Sequence, residues 1–182
     1  LKQAFACEVV AEKRRWIDEV IGAHGDHGTC IFEDCAQLGC TESKRFKHDG
    51  VCRVPSVVLL NVGTSCKDMS KHNPNSKALG RAFERGWSPG GSAQSSRGLL
   101  SYIDHHPPAI AIFENVDATE FESRSGGSNM DILMAGFSTR GDEGQRIMTN
   151  ASEFGAPARR RRIYVVFLRV CSQVLAFKSR HV

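Results

Sequence analysis

Val57-Val58-Leu59-Leu60-Asn61-Val62-Gly63-Thr64-Ser65-Cys66 is the stretch that decides how this chain is read. Apart from Asn61, its first six residues are apolar, on both sides of an extended chain, as a strand buried inside a parallel sheet requires. Gly63 breaks the run, and a short turn then delivers a cysteine just past the strand end. Downstream the pattern recurs: Ala109-Ile110-Ala111-Ile112-Phe113 is apolar throughout and closes on Glu114-Asn115.

Working outward, Phe5 to Val10 is a shorter apolar run carrying an acid, Glu8, and Thr29 to Phe32 is another, followed at once by Glu33-Asp34. Between them, Trp16, Ile17, Val20 and Ile21 recur at helical spacing, which predicts a helix over Ala11 to Ile21 stopped by Gly22. Gln37 to Arg53 is polar and dotted with cysteines, which suits a surface excursion. Helices are expected over Arg97 to His106, ended by Pro107-Pro108, and over Ser128 to Phe137. The last strands are expected at Arg146 to Thr149 and Ile163 to Leu168. From Lys67 to Ser96 the composition turns to Lys, Asn, Ser, Gly and Pro, which reads as one long mobile loop, and loops of that length are usually functional.

Strands alternating with helices indicate an α/β domain with a mostly parallel sheet. Ligands of such sheets collect beyond the carboxyl ends of the strands. Glu8, Asp34, Cys66 and Glu114 all fall at such ends, so the four are expected to face one crevice.

Composition narrows the class. The 182 residues are 41% hydrophobic and 24% charged, enough for a core and a prior for a single domain. No apolar run approaches ~18 residues, so no membrane span is expected, and Leu1-Lys2-Gln3-Ala4-Phe5 does not resemble a signal peptide. Seven cysteines in a chain of this length fit free thiols in a reducing, intracellular compartment. The net charge of +4 is compatible with a polyanionic partner without requiring one. Cys30, Cys35 and Cys40 recur every five residues near His24 and His27, but no Cys-x-x-Cys pair is present, so no metal is expected.

Several side chains suit chemistry. Cys66, on a turn rich in backbone amides before a polar loop, has the setting of a nucleophilic thiol. Glu114 ends an apolar strand, the partly desolvated setting in which a carboxyl group can hold a proton for donation. Asn115 beside it can orient backbone or ligand. In Arg159-Arg160-Arg161-Arg162, alternation along an extended chain puts Arg160 and Arg162 on one side, two forked cations suited to phosphate or a base carbonyl.

Taken in order, these strings resemble the cytosine-C5 methyltransferase family along nearly the whole chain. Gly63-Thr64-Ser65-Cys66-Lys67-Asp68-Met69-Ser70 is similar to the family's nucleophile motif, Gly-Pro-Pro-Cys-Gln-x-Phe-Ser. Ser96-Arg97-Gly98-Leu99-Leu100 resembles its Ser-Arg-Gly-x-Leu, and Phe113-Glu114-Asn115-Val116 carries its Glu-Asn-Val unchanged. Asn150-Ala151-Ser152-Glu153-Phe154-Gly155-Ala156-Pro157, running into Arg160-x-Arg162, resembles the signature that ends in Gln-x-Arg-x-Arg.

The resemblance implies a Rossmann-like sheet that binds S-adenosylmethionine, incomplete at both ends in residues 1–182, a single partial catalytic domain. The glycine-rich cofactor turn is expected before Leu1 and a target-recognition region after Val182. It implies DNA, or tRNA in a sister branch, as partner, and a nuclear or cytoplasmic address. It assigns Cys66 to attack on cytosine C6, Glu114 to the N3 edge and Arg162 to the O2 carbonyl. Arg160 would support the closed loop, with Ser70 and Asn115 nearby on the substrate. Glu8, Asp34, Gly63 and Leu100 would contact the cofactor.

Ser65 and Thr64 stand where the family has prolines, and both replacements are expected to loosen the turn that holds the nucleophile. Lys67 and Ala158 each replace a Gln. A remnant that folds without turning over is the alternative these departures support, and a zinc-dependent interaction module is a third.

Overall fold

A computed structural model describes residues 2–25, 28–46, 50–69, 81–84, 91–123 and 126–170. The chain forms two compact units, one of Leu1–Val57 with Arg97–Pro107, the other of Val58–Ser96 with Pro108–Val182.

The first unit is built from short pieces. β1 (Phe5–Cys7) and β2 (Cys30–Phe32) pair in parallel, joined by helix α1 (Ala11–Ala23). β3 (Glu42–Lys44) and β4 (Val51–Arg53) form an antiparallel ladder within the stretch expected to be a plain surface excursion. Gly22 does not stop α1; the helix runs one residue further, and Gly25, at φ +77°, makes the turn that leaves it. The helix also buries a narrower stripe than its apolar spacing implied. Arg14 and Ile21 are buried, whereas Trp16 and Val20 lie on the solvent side.

Helix α2 (Ser92–His105) begins in the second unit and ends in the first. Its carboxyl half packs on the turn Cys35–Gln37: a Cβ built on Gly98 would stand 2.7 Å from the Cys35 carbonyl oxygen. Only glycine fits there, which gives the Ser-Arg-Gly string a packing reason. Tyr102 is fully buried against Phe5 and donates its hydroxyl to the Pro55 carbonyl at 2.8 Å.

The second unit holds a four-stranded sheet in the order β5 (Leu59–Gly63), β6 (Ile110–Val116), β8 (Arg161–Arg169), β7 (Asp142–Asn150). It is mixed rather than mostly parallel: β5 and β6 are parallel, but β8 runs antiparallel to both β6 and β7. The cause is the tight connection Ala151–Arg160, which returns the chain beside β7 with no room for a parallel crossover. β5 is also shorter than its apolar run, since Val58 is 74% exposed.

Along β8, Ile163, Val165 and Phe167 alternate into the core, and Phe167 stacks on Phe137 of α3 (Asn129–Ser138) with centroids 3.6 Å apart. Ser128 caps that helix in a reciprocal box with Asp131. The expectation of a continuous mobile loop over 67–96 is corrected at its described parts. Residues 92–96 open α2, where Ser92 and Ser95 bond to the turn after β5. Ala82 and Phe83 sit in a buried 3₁₀ turn, with the Phe83 N–H donated to the Asn129 side chain at 2.9 Å. Residues 70–80 and 85–90 of that expected loop lie outside the described residues.

Candidate active site

Parallel pairing of β5 with β6 sets Gly63 directly opposite Glu114. A Cβ on Gly63 would come within 3.3 Å of Glu114 Oε2, so the bare glycine leaves room for that carboxylate. On the antiparallel side, Arg162 lies opposite Val116, two residues from Glu114 on the same face. Its Nε reaches Glu114 Oε1 at 2.9 Å, and its Nη1 donates to the Arg161 carbonyl at 2.8 Å. Glu114, expected as a partly desolvated carboxyl at the end of an apolar strand, therefore faces a guanidinium. Both side chains of the pair are partly open to solvent.

Asn115 points the other way, into the core, and is 2% exposed. Its Nδ2 donates to the Thr64 carbonyl at 3.2 Å and to Thr64 Oγ1 at 2.8 Å, while its Oδ1 accepts the Val116 N–H at 2.8 Å. Every polar atom of the side chain is thus used inside the protein. Asn115, expected on the substrate, bonds here to the turn that leads to Cys66. Because Asn115 adjoins Glu114 and Thr64 lies two residues before Cys66, these bonds tie thiol and carboxyl to the same end of one strand pair.

The same turn is pinned on its far side by helix α2. The Ser65 N–H donates to Ser95 Oγ at 2.9 Å. Asp68 and Ser92 exchange bonds, the Ser92 N–H to Asp68 Oδ2 at 2.8 Å and the Asp68 N–H to Ser92 Oγ at 3.3 Å. At Thr64 and Ser65, where a looser turn is expected, hydrogen bonds with Asn115 and Ser95 anchor the backbone. Asp68, Ser92 and Ser95 were invisible as site residues from sequence. The 24 residues separating Asp68 from Ser92 follow no local spacing, and the only signal was a serine-rich helix start.

Arg160 precedes β8 and is exposed; its N–H donates to Asn150 Oδ1 at 3.1 Å. Asn150 and Glu153 form a reciprocal capping box around the turn Ala151–Phe154, closed by Gly155 at φ +84°. This box explains the Asn-Ala-Ser-Glu-Phe-Gly string as a rigid connector that starts β8 in register. Ser70 lies outside the described residues.

In the first unit, Glu8 and Asp34 follow the paired ends Cys7 and Phe32, so both acids stand at the carboxyl end of one parallel ladder. Glu8 Oε1 accepts the Val10 N–H and Asp34 Oδ1 the Ala36 N–H, each at 2.9 Å. Their charge is felt locally. Burial first, then Asp34, pushes the Cys35 thiol up to about 11, and burial raises Cys7 further. Leu100 is half-buried on α2, about 200° around the helix from Gly98, the residue that meets the Cys35 turn. Among the described residues no group of three or more His, Cys, Asp or Glu is placed to hold a metal, and no helix is long and apolar enough to cross a membrane.

Comparison with known proteins follows the same lines. No protein-family model matches the chain. It is 25% identical over 165 residues to the DNA (cytosine-5-)-methyltransferase DMT5 of Cryptococcus neoformans var. grubii, a match spanning 90% of this chain and 6% of that protein. Its fold matches the crystal structure of the S. pombe Dnmt2 methyltransferase with a TM-score of 0.56 at 14% identity, over 92% of this chain and 43% of that one. A structure of the Entamoeba histolytica methyltransferase EhMeth aligns with a TM-score of 0.45 at 13% identity, over 94% of this chain and 54% of that one. The chain thus spans a small part of the curated relative and under half of the Dnmt2 structure. The similarity to DMT5 covers nine-tenths of this chain, and the fold is shared with the S. pombe Dnmt2 methyltransferase structure.

Proposed function

We propose that this chain forms the central part of a catalytic domain that methylates cytosine at C5 in DNA through a covalent cysteine adduct. The observation that carries the reading is the Gly63–Glu114 register, which brings the turn of Cys66 and the Glu114–Arg162 pair to one end of the β5–β6 ladder. The similarity to DMT5 supports DNA as the substrate. A tRNA-directed activity, which the motif resemblance also implies, is the second reading.

The donor fits the residues present. Ribose hydroxyls and an adenine amine are hydrogen-bond donors, and Glu8 and Asp34 offer carboxylate acceptors at one sheet end, where nucleoside ligands of such folds collect. S-adenosylmethionine, when bound there, supplies an electrophilic methyl group. The remaining work belongs to the chain's own side chains. Cys66, which follows the Thr64 and Ser65 backbone anchored by Asn115 and Ser95, adds its sulfur to C6 of the cytosine. Glu114 meets the N3 edge and gives or holds a proton there, which spreads the charge of the adduct and leaves C5 nucleophilic. Arg162 keeps that carboxyl in place and offers its guanidinium to the O2 carbonyl. Loss of the C5 proton and elimination then release the Cys66 thiolate. A base inside a duplex must leave its stack to reach these groups.

Transfer of a tritiated methyl group to duplex DNA and to tRNA, measured side by side, tests the substrate. Label in duplex DNA at C5 is expected; label entering tRNA alone would replace the first reading with the second. Label in neither would favour a remnant that folds without turning over.

A further inference from the structure

The first unit carries sulfur chemistry of its own. Cys30 opens β2 and Cys52 is the middle residue of β4, and their Sγ atoms stand 2.6 Å apart although 22 positions separate them in sequence. Two unbonded thiols rest further apart than this, and only a small movement separates the pair from the ~2.05 Å of a disulfide bond. A cation completes the group: Arg45 Nη1 donates to Cys52 Sγ at 3.2 Å. The arginine is held there by backbone, through the bridge of Arg45 to Phe32 and the Phe46 N–H donated to the Ile31 carbonyl at 2.8 Å. Both cysteines are half-buried rather than sealed in the core. No other two thiols among the described residues bond to each other. Cys7 and Cys35 lie beside Glu8 and Asp34, where partial burial first and then negative charge discourage the thiolate.

We propose that Cys30 and Cys52 are a reversible dithiol–disulfide pair, oxidised by a peroxide, in which Cys52 reacts first and Cys30 resolves. The Cys52 sulfur attacks one peroxide oxygen and the O–O bond breaks. The departing oxygen takes up the proton that Cys52 gives up and leaves as water, or as an alcohol from an organic peroxide. Arg45 faces the charge that develops on that sulfur. The Cys30 sulfur then attacks the Cys52 sulfenic acid, the S–O bond breaks, and the oxygen leaves as water with the Cys30 proton. Two thiols lose two electrons in all, and the peroxide gains them. Burial, and then the hydrogen bond with Cys52, hold the Cys30 thiol in its protonated form, which suits the resolving partner. The new bond would staple β4 to β2 and enclose Asp34 in the ring, whichever substrate the protein acts on.

The test uses the reduced full chain, treated under native conditions with hydrogen peroxide, alkylated with iodoacetamide and mapped without reduction. A peptide joining Cys30 to Cys52, lost again on treatment with dithiothreitol, is expected. Cys30→Ser should leave a dimedone-reactive sulfenic acid on Cys52, whereas Cys52→Ser should leave Cys30 unlabelled. Arg45→Gln should slow closure by about tenfold. Full alkylation of both residues after peroxide, or links that join either one to another cysteine in preference, would overturn the pairing. The mapping of the unsubstituted chain decides this even if a serine variant fails to fold. Closure at an unchanged rate in Arg45→Gln would overturn the order in which the two sulfurs react.

Discussion

The two units of this molecule solve the same problem, holding reactive side chains at strand ends, with different amounts of sheet. The second unit uses strands of up to nine residues and a buried column of Phe113, Val165, Phe167 and Phe137. The first has strands of three residues in two separate ladders, and its candidate acids also serve as backbone caps. Long register fixes Glu114 and Arg162 across β5, β6 and β8, independently of the Thr64-Ser65 turn. In the first unit, placement depends on local caps and on one close helix approach, so single atoms matter more.

Core truncation should break this contrast most strongly. Phe137→Ala removes one ring of the stacked pair and is expected to cost about 3–5 kcal/mol by denaturant titration. Gly98→Ala should cost about 1–3 kcal/mol, because its new methyl meets the Cys35 backbone rather than a yielding side chain. Hydrogen exchange should find that loss concentrated at β1, β2 and the Cys35 turn. An equal loss of protection in β6 and β8 would mean that the two units do not differ as described.

Asn115→Ala sharpens the comparison inside the second unit. It strands the Thr64 carbonyl and hydroxyl, with an expected stability cost of about 1–3 kcal/mol. If the protein methylates cytosine as proposed, methyl transfer should fall through kcat with little change in KM for DNA, since Asn115 positions the nucleophile without touching substrate. A rise in KM alone would return the residue to a substrate contact.

Much of this was legible beforehand because it rests on local signals. Apolar runs marked β5, β6 and β8, and the helix expected over Ser128 to Phe137 is α3. The strand-end positions of Glu8, Asp34, Cys66 and Glu114 followed from the same runs. What escaped depended on partners distant in sequence. The antiparallel return of β8 is set by the Asn150 capping box, and the anchoring of the Cys66 turn by Ser92 and Ser95. The inward orientation of Asn115 is set by strand phase, since Glu114 and Asn115 must face opposite sides of β6. A run that is apolar on both faces does not reveal which side becomes the core.

The smallest effect separates the units by pH. Cys35 rises from 9.0 to about 11 and Tyr102 from 10.0 to about 12, both through burial first. Folding holds these protons more tightly than the unfolded chain does. Their contribution is therefore complete below pH 9 and is lost as pH climbs from about 9 to 12. Asp131, in the second unit, is lowered by hydrogen bonds from Ser128 and by Arg146. Its contribution is present above its ordinary 3.8 and lost as pH falls below that value. Alkaline titration followed by residue-level exchange should open the first unit before the second, and acid should weaken the α3 cap. The reverse order would contradict these assignments.

The most direct trial is a trapping experiment with a duplex carrying 5-fluorocytosine, S-adenosylmethionine and the protein, read by peptide mass spectrometry. Fluorine at C5 blocks the final elimination, so the proposed site should accumulate a stable adduct on the peptide containing Cys66, and Cys66→Ala should abolish it. Methyl transfer that proceeds with Cys66 unmodified, or an adduct that maps to another cysteine, would contradict the account.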